Sequence, residues 1–295
     1  MKKVAVLLSL MTGLSAYAGI DVIYGEDNRR DTYAETDPTL LTLSKSVAAM
    51  VHKNQIGTFR FMIDQSFQGM PSRYEICSTE RFINQKSIAN CSGSLIAPDK
   101  ILTASHCVET KKDCNKYRWV FDYKMTNEDT LDLSYRNKMN VYECKAILAS
   151  SPANKLDFAI IQLDRPVTDR LPLKVNFEKL QVSEEKEIAV IGYPSGLPQK
   201  IADNAKIKEV VKFGCKTNLD TYGGNSGSPV FDKSSGDIIG ILLRGQDDFI
   251  FDSTNKCFRS NVCRDDGYRC IRNSGTRYEF VGASADLPIA EFVEN

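Results

Sequence analysis

Three segments of the 295-residue chain supply a histidine, an aspartate and a serine, in that order. The first is Cys91-Ser92-Gly93-Ser94-Leu95-Ile96, followed by Ile101-Leu102-Thr103-Ala104-Ser105-His106-Cys107. The second is Leu156-Asp157-Phe158-Ala159-Ile160-Ile161, and the third is Gly223-Gly224-Asn225-Ser226-Gly227-Ser228-Pro229-Val230. An alcohol at neutral pH is a poor nucleophile and needs a base within hydrogen-bond reach. That base in turn needs an acceptor that fixes its tautomer. Histidine titrates closest to neutrality, so it suits the task best. The chain has only His52 and His106. His106 stands beside a cysteine in a small-residue turn after an apolar run and is the expected base. His52, in Met-Val-His-Lys-Asn, reads as a surface or strand-end residue.

Ser226 is the expected nucleophile. Gly223 and Gly224 before it and Gly227 after it let the backbone take positive φ and approach a substrate closely. In that geometry the Gly224 and Ser226 amides can converge on one spot as an oxyanion hole. Alone, the segment could equally be a glycine-rich turn carrying a solvated serine; beside His106 and Asp157 the catalytic reading takes precedence. Asp157 opens a run that must be buried, where it would orient His106 and stabilise the imidazolium. Chain order excludes an α/β-hydrolase, whose serine precedes its histidine within G-x-S-x-G. Here Gly224-x-Ser226-x-Ser228 ends in serine, and no histidine follows.

The elements that must position these residues are short. Tyr117 to Tyr123, Val141 to Leu148, Phe158 to Leu163, Glu187 to Gly192, Ile207 to Phe213, Ile238 to Leu243 and Tyr278 to Gly282 are rich in Val, Ile, Phe and Tyr. Gly, Asn, Asp, Ser and Pro separate them. Helical periodicity is missing until Leu287 to Val293, a candidate short terminal helix. The pattern predicts an all-β barrel or sandwich. Residues 19 to 45 are polar, with Glu26-Asp27-Asn28-Arg29-Arg30-Asp31 at their heart, and read as an arm or propeptide. Arg29-Arg30 is either a processing site or part of a solvated segment.

Lys2-Lys3, the apolar run Val4 to Leu14 and Ala16-Tyr17-Ala18 together have the form of a cleaved export signal over residues 1–18. The run is too short to span a bilayer, which needs about 20 apolar residues. Nine cysteines point the same way, outside the cytosol, so the expected product is secreted or periplasmic. Lys+Arg 38 balances Asp+Glu 38, which removes the basic excess that nucleic-acid binding requires.

These segments resemble the trypsin-like serine peptidases. His106-Cys107, Asp157-Phe158-Ala159 and Gly224-Asn225-Ser226-Gly227-Ser228-Pro229 match that family's three catalytic motifs over roughly residues 46–295. The resemblance implies two six-stranded antiparallel β-barrels with His106, Asp157 and Ser226 in the cleft between them. It also implies a Cys91–Cys107 bridge that braces the base. In detail the chain is similar to the bacterial glutamyl endopeptidase branch, through Asn225 and the stretch Val22 to Arg29. With Asn225 in place of an aspartate, no carboxylate stands there to receive a freed N-terminal ammonium. The pocket histidine of that branch falls on Leu242, whereas Asp220, six residues before Ser226 and beside Thr221, falls on the pocket floor of trypsin-like enzymes. The expectation is therefore cleavage after Arg or Lys, unless Arg244 folds back on Asp220.

Among the other cysteines, Cys114 and Cys144 border predicted strands and could pair. An odd count leaves one thiol over. Cys257, Cys263 and Cys270 suggest a stapled loop, either shaping substrate choice or simply held in place. No paired C-x₂-C spacing or EF-hand loop appears, so neither a metal nor another cofactor is expected. The chain reads as a monomeric serine endopeptidase acting on proteins or peptides, without membrane insertion. The alternative is a catalytically silent homologue that serves as a binding module.

Overall fold

Runs of β-branched and aromatic residues closed by turn formers become strands wherever one face can be buried. The computed structural model describes residues 22–56, 75–179, 182–245, 247–268, 270 and 278–293. The expected export signal over residues 1–18 lies outside the described residues.

The first barrel is built from β3 (Val47–His52), β4 (Ala89–Ala97), β5 (Lys100–Thr103), β6 (Tyr117–Val120), β7 (Val141–Ser151) and β8 (Phe158–Leu163). They close in the order β3-β4-β5-β8-β7-β6, every pair antiparallel. A short helix, α2 (Lys111–Lys116), precedes β6. Thr110 and Asp113 form its capping box, and the Cys114–Cys144 disulfide ties it to β7.

The second barrel is built from β9 (Glu187–Gly192), β10 (Lys200–Val211), β11 (Gly214–Thr217), β12 (Pro229–Asp232), β13 (Ile238–Arg244) and β17 (Glu279–Ala283). Its sheet runs β11-β17-β13-β12-β9-β10, and the additional pairing of β10 with β11 closes it. The expected pair of six-stranded antiparallel barrels is therefore present. One apolar cluster joins them: Trp119, Leu95 and Ile160 of the first barrel pack in the same core as Ile191, Phe231 and Leu243 of the second. Burying such side chains contributes about 1.5–3 kcal/mol each. The terminal helix is reduced to two turns of 3₁₀ helix, Ser284–Asp286 and Ala290–Phe292, separated by Pro288, which lacks the N–H a continuous helix needs.

The polar N-terminal stretch is seated on the second barrel. β1 (Ile23–Tyr24) pairs parallel with β16 (Val262–Cys263), and β2 (Arg30–Asp31) pairs antiparallel with the start of β10. Val22, Ile23, Tyr24 and Leu40 are buried. α1 (Pro38–Ser44) begins with proline after Asp37, whose carboxylate accepts the Thr39 and Leu40 N–H groups. The ammonium of Lys200, itself buried, donates to Asp31 Oδ1 at 2.5 Å, Gln85 Oε1 at 2.7 Å and Pro198 O at 3.0 Å. Burial pushes this ammonium down to about 8, against the pull of Asp31.

Between β13 and β17 the chain makes a hairpin, β14 (Phe249–Asp252) with β15 (Cys257–Ser260). Cys77–Cys257 staples it to the segment around Ile76, and Cys263–Cys270 closes a small loop beyond it. The stapled loop expected around Cys257, Cys263 and Cys270 thus exists, held by two bridges. Cys215 in β11 is the thiol left over, and burial pushes it up to about 12.

Candidate active site

β5 ends at Thr103, and the chain turns at once into a single 3₁₀ turn, Ser105–Cys107, which carries His106 at the edge of the first barrel. The Cys91–Cys107 disulfide, the bridge implied by the resemblance, ties this turn to β4. Asp157 immediately precedes β8, the strand that pairs with β5. It adopts φ +51°, a left-handed conformation that aspartate tolerates better than most residues. That conformation aims its carboxylate at the turn. Oδ2 meets His106 Nδ1 at 2.9 Å, and Oδ1 accepts the His106 backbone N–H at 3.1 Å. Held at two points, the imidazole presents its other nitrogen, Nε2, which is buried and has no hydrogen-bond partner among the described residues.

Ser226 comes to the histidine turn from the second barrel through its backbone, with its carbonyl oxygen 3.7 Å from Cys107 Sγ, while its hydroxyl makes no hydrogen bond to His106 Nε2. Its carbonyl accepts the Ser92 N–H at 2.9 Å, and the Ser92 hydroxyl donates to Gly224 O at 2.8 Å while accepting the Tyr193 N–H at 3.1 Å. Ser92 therefore clamps the serine loop to the first barrel, a role the sequence reading missed. Thr103, on the histidine side, donates its hydroxyl to Ser92 O at 2.7 Å. Inside the loop the Gly223, Asn225 and Gly227 N–H groups are engaged by Asp248 Oδ2, Tyr222 O and Leu242 O. The Gly224 and Ser226 N–H groups have no protein partner among the described residues.

Both glycines at φ > 0 are required by close approach as well as by backbone conformation. A Cβ on Gly224, at φ +103°, would lie 2.4 Å from Tyr193 O. On Gly227, at φ +81°, it would lie 2.3 Å from Thr103 Oγ1 and 2.4 Å from Ser92 O. Gly227→Ala is accordingly expected to cost about 3 kcal/mol and to lower activity by pushing the serine loop off the histidine turn. Thermal unfolding and initial rates check this, and an unshifted Tm would show that the loop relaxes freely.

The expected pocket residues separate. Asp220 is buried with its carboxylate turned to the arm: Oδ1 accepts the Tyr24 N–H at 2.7 Å and Oδ2 the Asn28 N–H at 2.9 Å. Burial pushes this carboxyl up to about 7, although both N–H groups favour its charged form. Asp220 thus anchors the arm in this structure, where the sequence reading expected it on a pocket floor. Six-residue spacing places its backbone, not the direction of its side chain. Arg244 does not fold back on it either, because its exposed guanidinium lies over the Phe280 ring at 4.3 Å. The guanidinium closest in role is Arg29, buried over the Tyr222 ring at 4.0 Å and held by Asp27 Oδ2 at 2.8 Å. Leu242 packs into the second barrel with Leu219 and Val281. Thr221 is buried and donates its hydroxyl to Glu279 Oε2 at 3.1 Å. Glu279 was also missed, yet the signal exists: it is an acid at an inward position of the strand Glu-Phe-Val-Gly-Ala, in step with Val281 and Ala283.

Cys91, His106 and Cys107 form the one group of metal-ligand types that converges among the described residues, but both sulfurs are in the disulfide, which leaves no thiolate to hold an ion.

The fold, two antiparallel barrels, is shared with known proteins. A Glu endopeptidase in complex with MPD aligns over 92% of this chain and 97% of its own, at 18% identity and TM-score 0.50. Human heparin binding protein aligns over 90% and 93%, at 13% identity and TM-score 0.52. At these identities the likeness is one of fold. No curated protein matches the chain. Residues 91–241 match the trypsin-like peptidase domain family, and the chain belongs to that family.

Proposed function

We propose that the chain is an exported serine endopeptidase that uses His106, Asp157 and Ser226. The observation that carries this reading is the two-point hold of Asp157 on His106, at 2.9 and 3.1 Å, which leaves Nε2 as the nitrogen available to a serine hydroxyl. Ser226 Oγ attacks the peptide carbonyl carbon as Nε2 takes the hydroxyl proton, and Asp157 stabilises the imidazolium. The oxyanion falls to the Gly224 and Ser226 N–H groups, which have no protein partner to give up among the described residues. The C–N bond then breaks, His106 returns the proton to the departing amine, and water hydrolyses the acyl-enzyme by the same steps in reverse.

The preferred bond follows Arg or Lys. Support for this comes from the sequence position of Asp220, six residues before Ser226, and from Leu242, which leaves no imidazole to receive an acidic side chain. Four disulfides suit an oxidising compartment, in line with export directed by residues 1–18. Among the described residues no helix is long and apolar enough to cross a membrane.

The test uses protein lacking residues 1–18 on a mixed peptide library, with cut sites read by mass spectrometry and Ser226→Ala as control. Cuts that vanish in the control are the expected result. A protein that cuts nothing and leaves Ser226 unlabelled by a fluorophosphonate would instead be a silent binding module.

A further inference from the structure

From the Gly223 N–H to the Gly227 N–H, every backbone polar group of the serine loop but two has a partner. Gly223 N–H donates to Asp248 Oδ2 at 3.0 Å, Asn225 N–H to Tyr222 O at 2.9 Å and Gly227 N–H to Leu242 O at 2.8 Å. Gly223 O accepts the Ser195 N–H at 2.6 Å, Asn225 O the Ser228 N–H at 2.7 Å and Ser226 O the Ser92 N–H at 2.9 Å. Gly224 O accepts the Ser92 hydroxyl at 2.8 Å. The Gly224 and Ser226 N–H groups are the two left over among the described residues. Both of these residues are gripped by their carbonyl oxygens, and Ser92 grips both.

The Ser92 hydroxyl has a second bond. Its oxygen accepts the Tyr193 N–H at 3.1 Å, and Ser92 is completely buried, so its proton is committed to Gly224 O. Tyr193 leads into the turn Pro194–Gly196, in which Ser195 takes φ +51°. The Ser195 N–H is the group that holds Gly223 O. Because the Gly223–Gly224 peptide is trans, that hold turns the Gly224 N–H to the opposite side. One hydroxyl therefore joins Gly224 to the turn that fixes the carbonyl before it. Neither Gly223 nor Gly224 has a Cβ to restrict its torsions, so hydrogen bonds must fix this peptide.

We propose that Ser92 is a positioning residue for turnover, its hydroxyl holding the Gly224 N–H in the direction that receives the oxyanion. It touches neither substrate nor the reacting atoms and acts through the serine loop. This rests on the endopeptidase reading. An aimed N–H matters most once charge has developed on the carbonyl oxygen, and little while the substrate is merely bound.

The experiment compares Ser92→Ala with the native chain on one peptide. Loss of the hydroxyl is expected to lower kcat about 10²-fold, the scale of losing one oxyanion donor, with KM changed by less than about threefold. Inhibition by a peptide aldehyde, whose tetrahedral adduct places an oxygen in the same site, should weaken in proportion to kcat. Binding of the uncleaved peptide to Ser226→Ala and to Ser226→Ala/Ser92→Ala, read by calorimetry, should be equal. Ser92→Thr and Ser92→Val are close in shape and differ in the hydroxyl, so they repeat the comparison should the alanine variant not fold. Thr is expected to exceed Val in kcat by a similar factor.

A native kcat in Ser92→Ala, or equal rates for Thr and Val, overturns the proposal. So does a loss that appears equally in peptide binding to Ser226→Ala/Ser92→Ala, because the hydroxyl would then support the site as a whole; the endopeptidase reading survives each of these results. A native chain that neither cuts peptides nor takes up a fluorophosphonate discards that reading and the proposal with it.

Discussion

Alanine at Ser226 is expected to lower kcat for peptide hydrolysis about 10⁶-fold, since the covalent route disappears whole when its nucleophile does. Asn at Asp157 is expected to cost about 10⁴-fold, even though it nearly preserves the shape of the site. The asymmetry follows from the hydrogen bonds. Asp157 accepts at both oxygens, from Nδ1–H and from the backbone N–H of His106. An amide can offer only one acceptor oxygen, so its NH₂ must face one of those two donors. If it faces the ring, Nδ1 becomes the acceptor, the proton moves to Nε2, and the atom that should take the serine proton already carries one. Adding His106→Ala to Ser226→Ala should lower the rate little further, because the members act as one unit. Initial rates on a single peptide, with Tm measured alongside, decide the matter. Ser226→Ala that retains more than a trace of native activity would transfer the chemistry to another residue.

Much of this site was legible because its residue types announce themselves. A lone histidine beside a cysteine, an aspartate at the mouth of an apolar run and a serine among glycines are rare combinations, and the family motifs put them in order. Phe158–Leu163 and Glu187–Gly192 appear with the boundaries read from sequence, since turn formers bracket each run. Tyr117–Val120 ends earlier than its apolar run, and β10 starts seven residues before the run expected at Ile207. There the partners decide. Lys200 and Asn204 break the apolar pattern, yet ladder bonds to β9 and β2 hold the strand.

How residues 22–45 pack was hidden for the same reason. Val22, Ile23, Tyr24 and Leu40 look too few to make a core, but they need only join clusters that other segments build: Ile23 packs with Ile76, Tyr222 and Phe258, Val22 and Tyr24 with Cys263 and Tyr278, and Leu40 with the core shared by the two barrels. Asp220 shows a further limit. Its distance from Ser226 along the chain is what a pocket floor requires, while its neighbours in space, the amides of Tyr24 and Asn28, lie nearly two hundred residues away in sequence. Cys77–Cys257, with a separation of 180, was out of reach for the same reason, whereas Cys91–Cys107 was not.

The arm's attachment yields the largest expected effect on stability. Lys200→Met is expected to cost about 3–5 kcal/mol, because it leaves the Asp31 carboxylate buried without its cation. For a chain of this size that is a fall in Tm on the order of 10 °C. Lys200 and Asp31 are 2% and 4% exposed, so water cannot replace the lost partner without opening β2. The Gln85 and Pro198 oxygens, which accept from the same ammonium, would be stranded as well. Arg30 is gripped on the next residue by Asp203 at 2.7 Å and by Glu35, so the strand should loosen around position 31 rather than detach. The consequence should reach Asp220, since Asn28, whose N–H caps it, lies three residues upstream of Asp31. Replacing both partners by apolar residues, Lys200→Met with Asp31→Leu, should recover most of the loss, because a filled apolar site carries no stranded charge. If the double variant melts as low as Lys200→Met alone, the cost lies with Gln85 and Pro198 rather than with the buried ion pair.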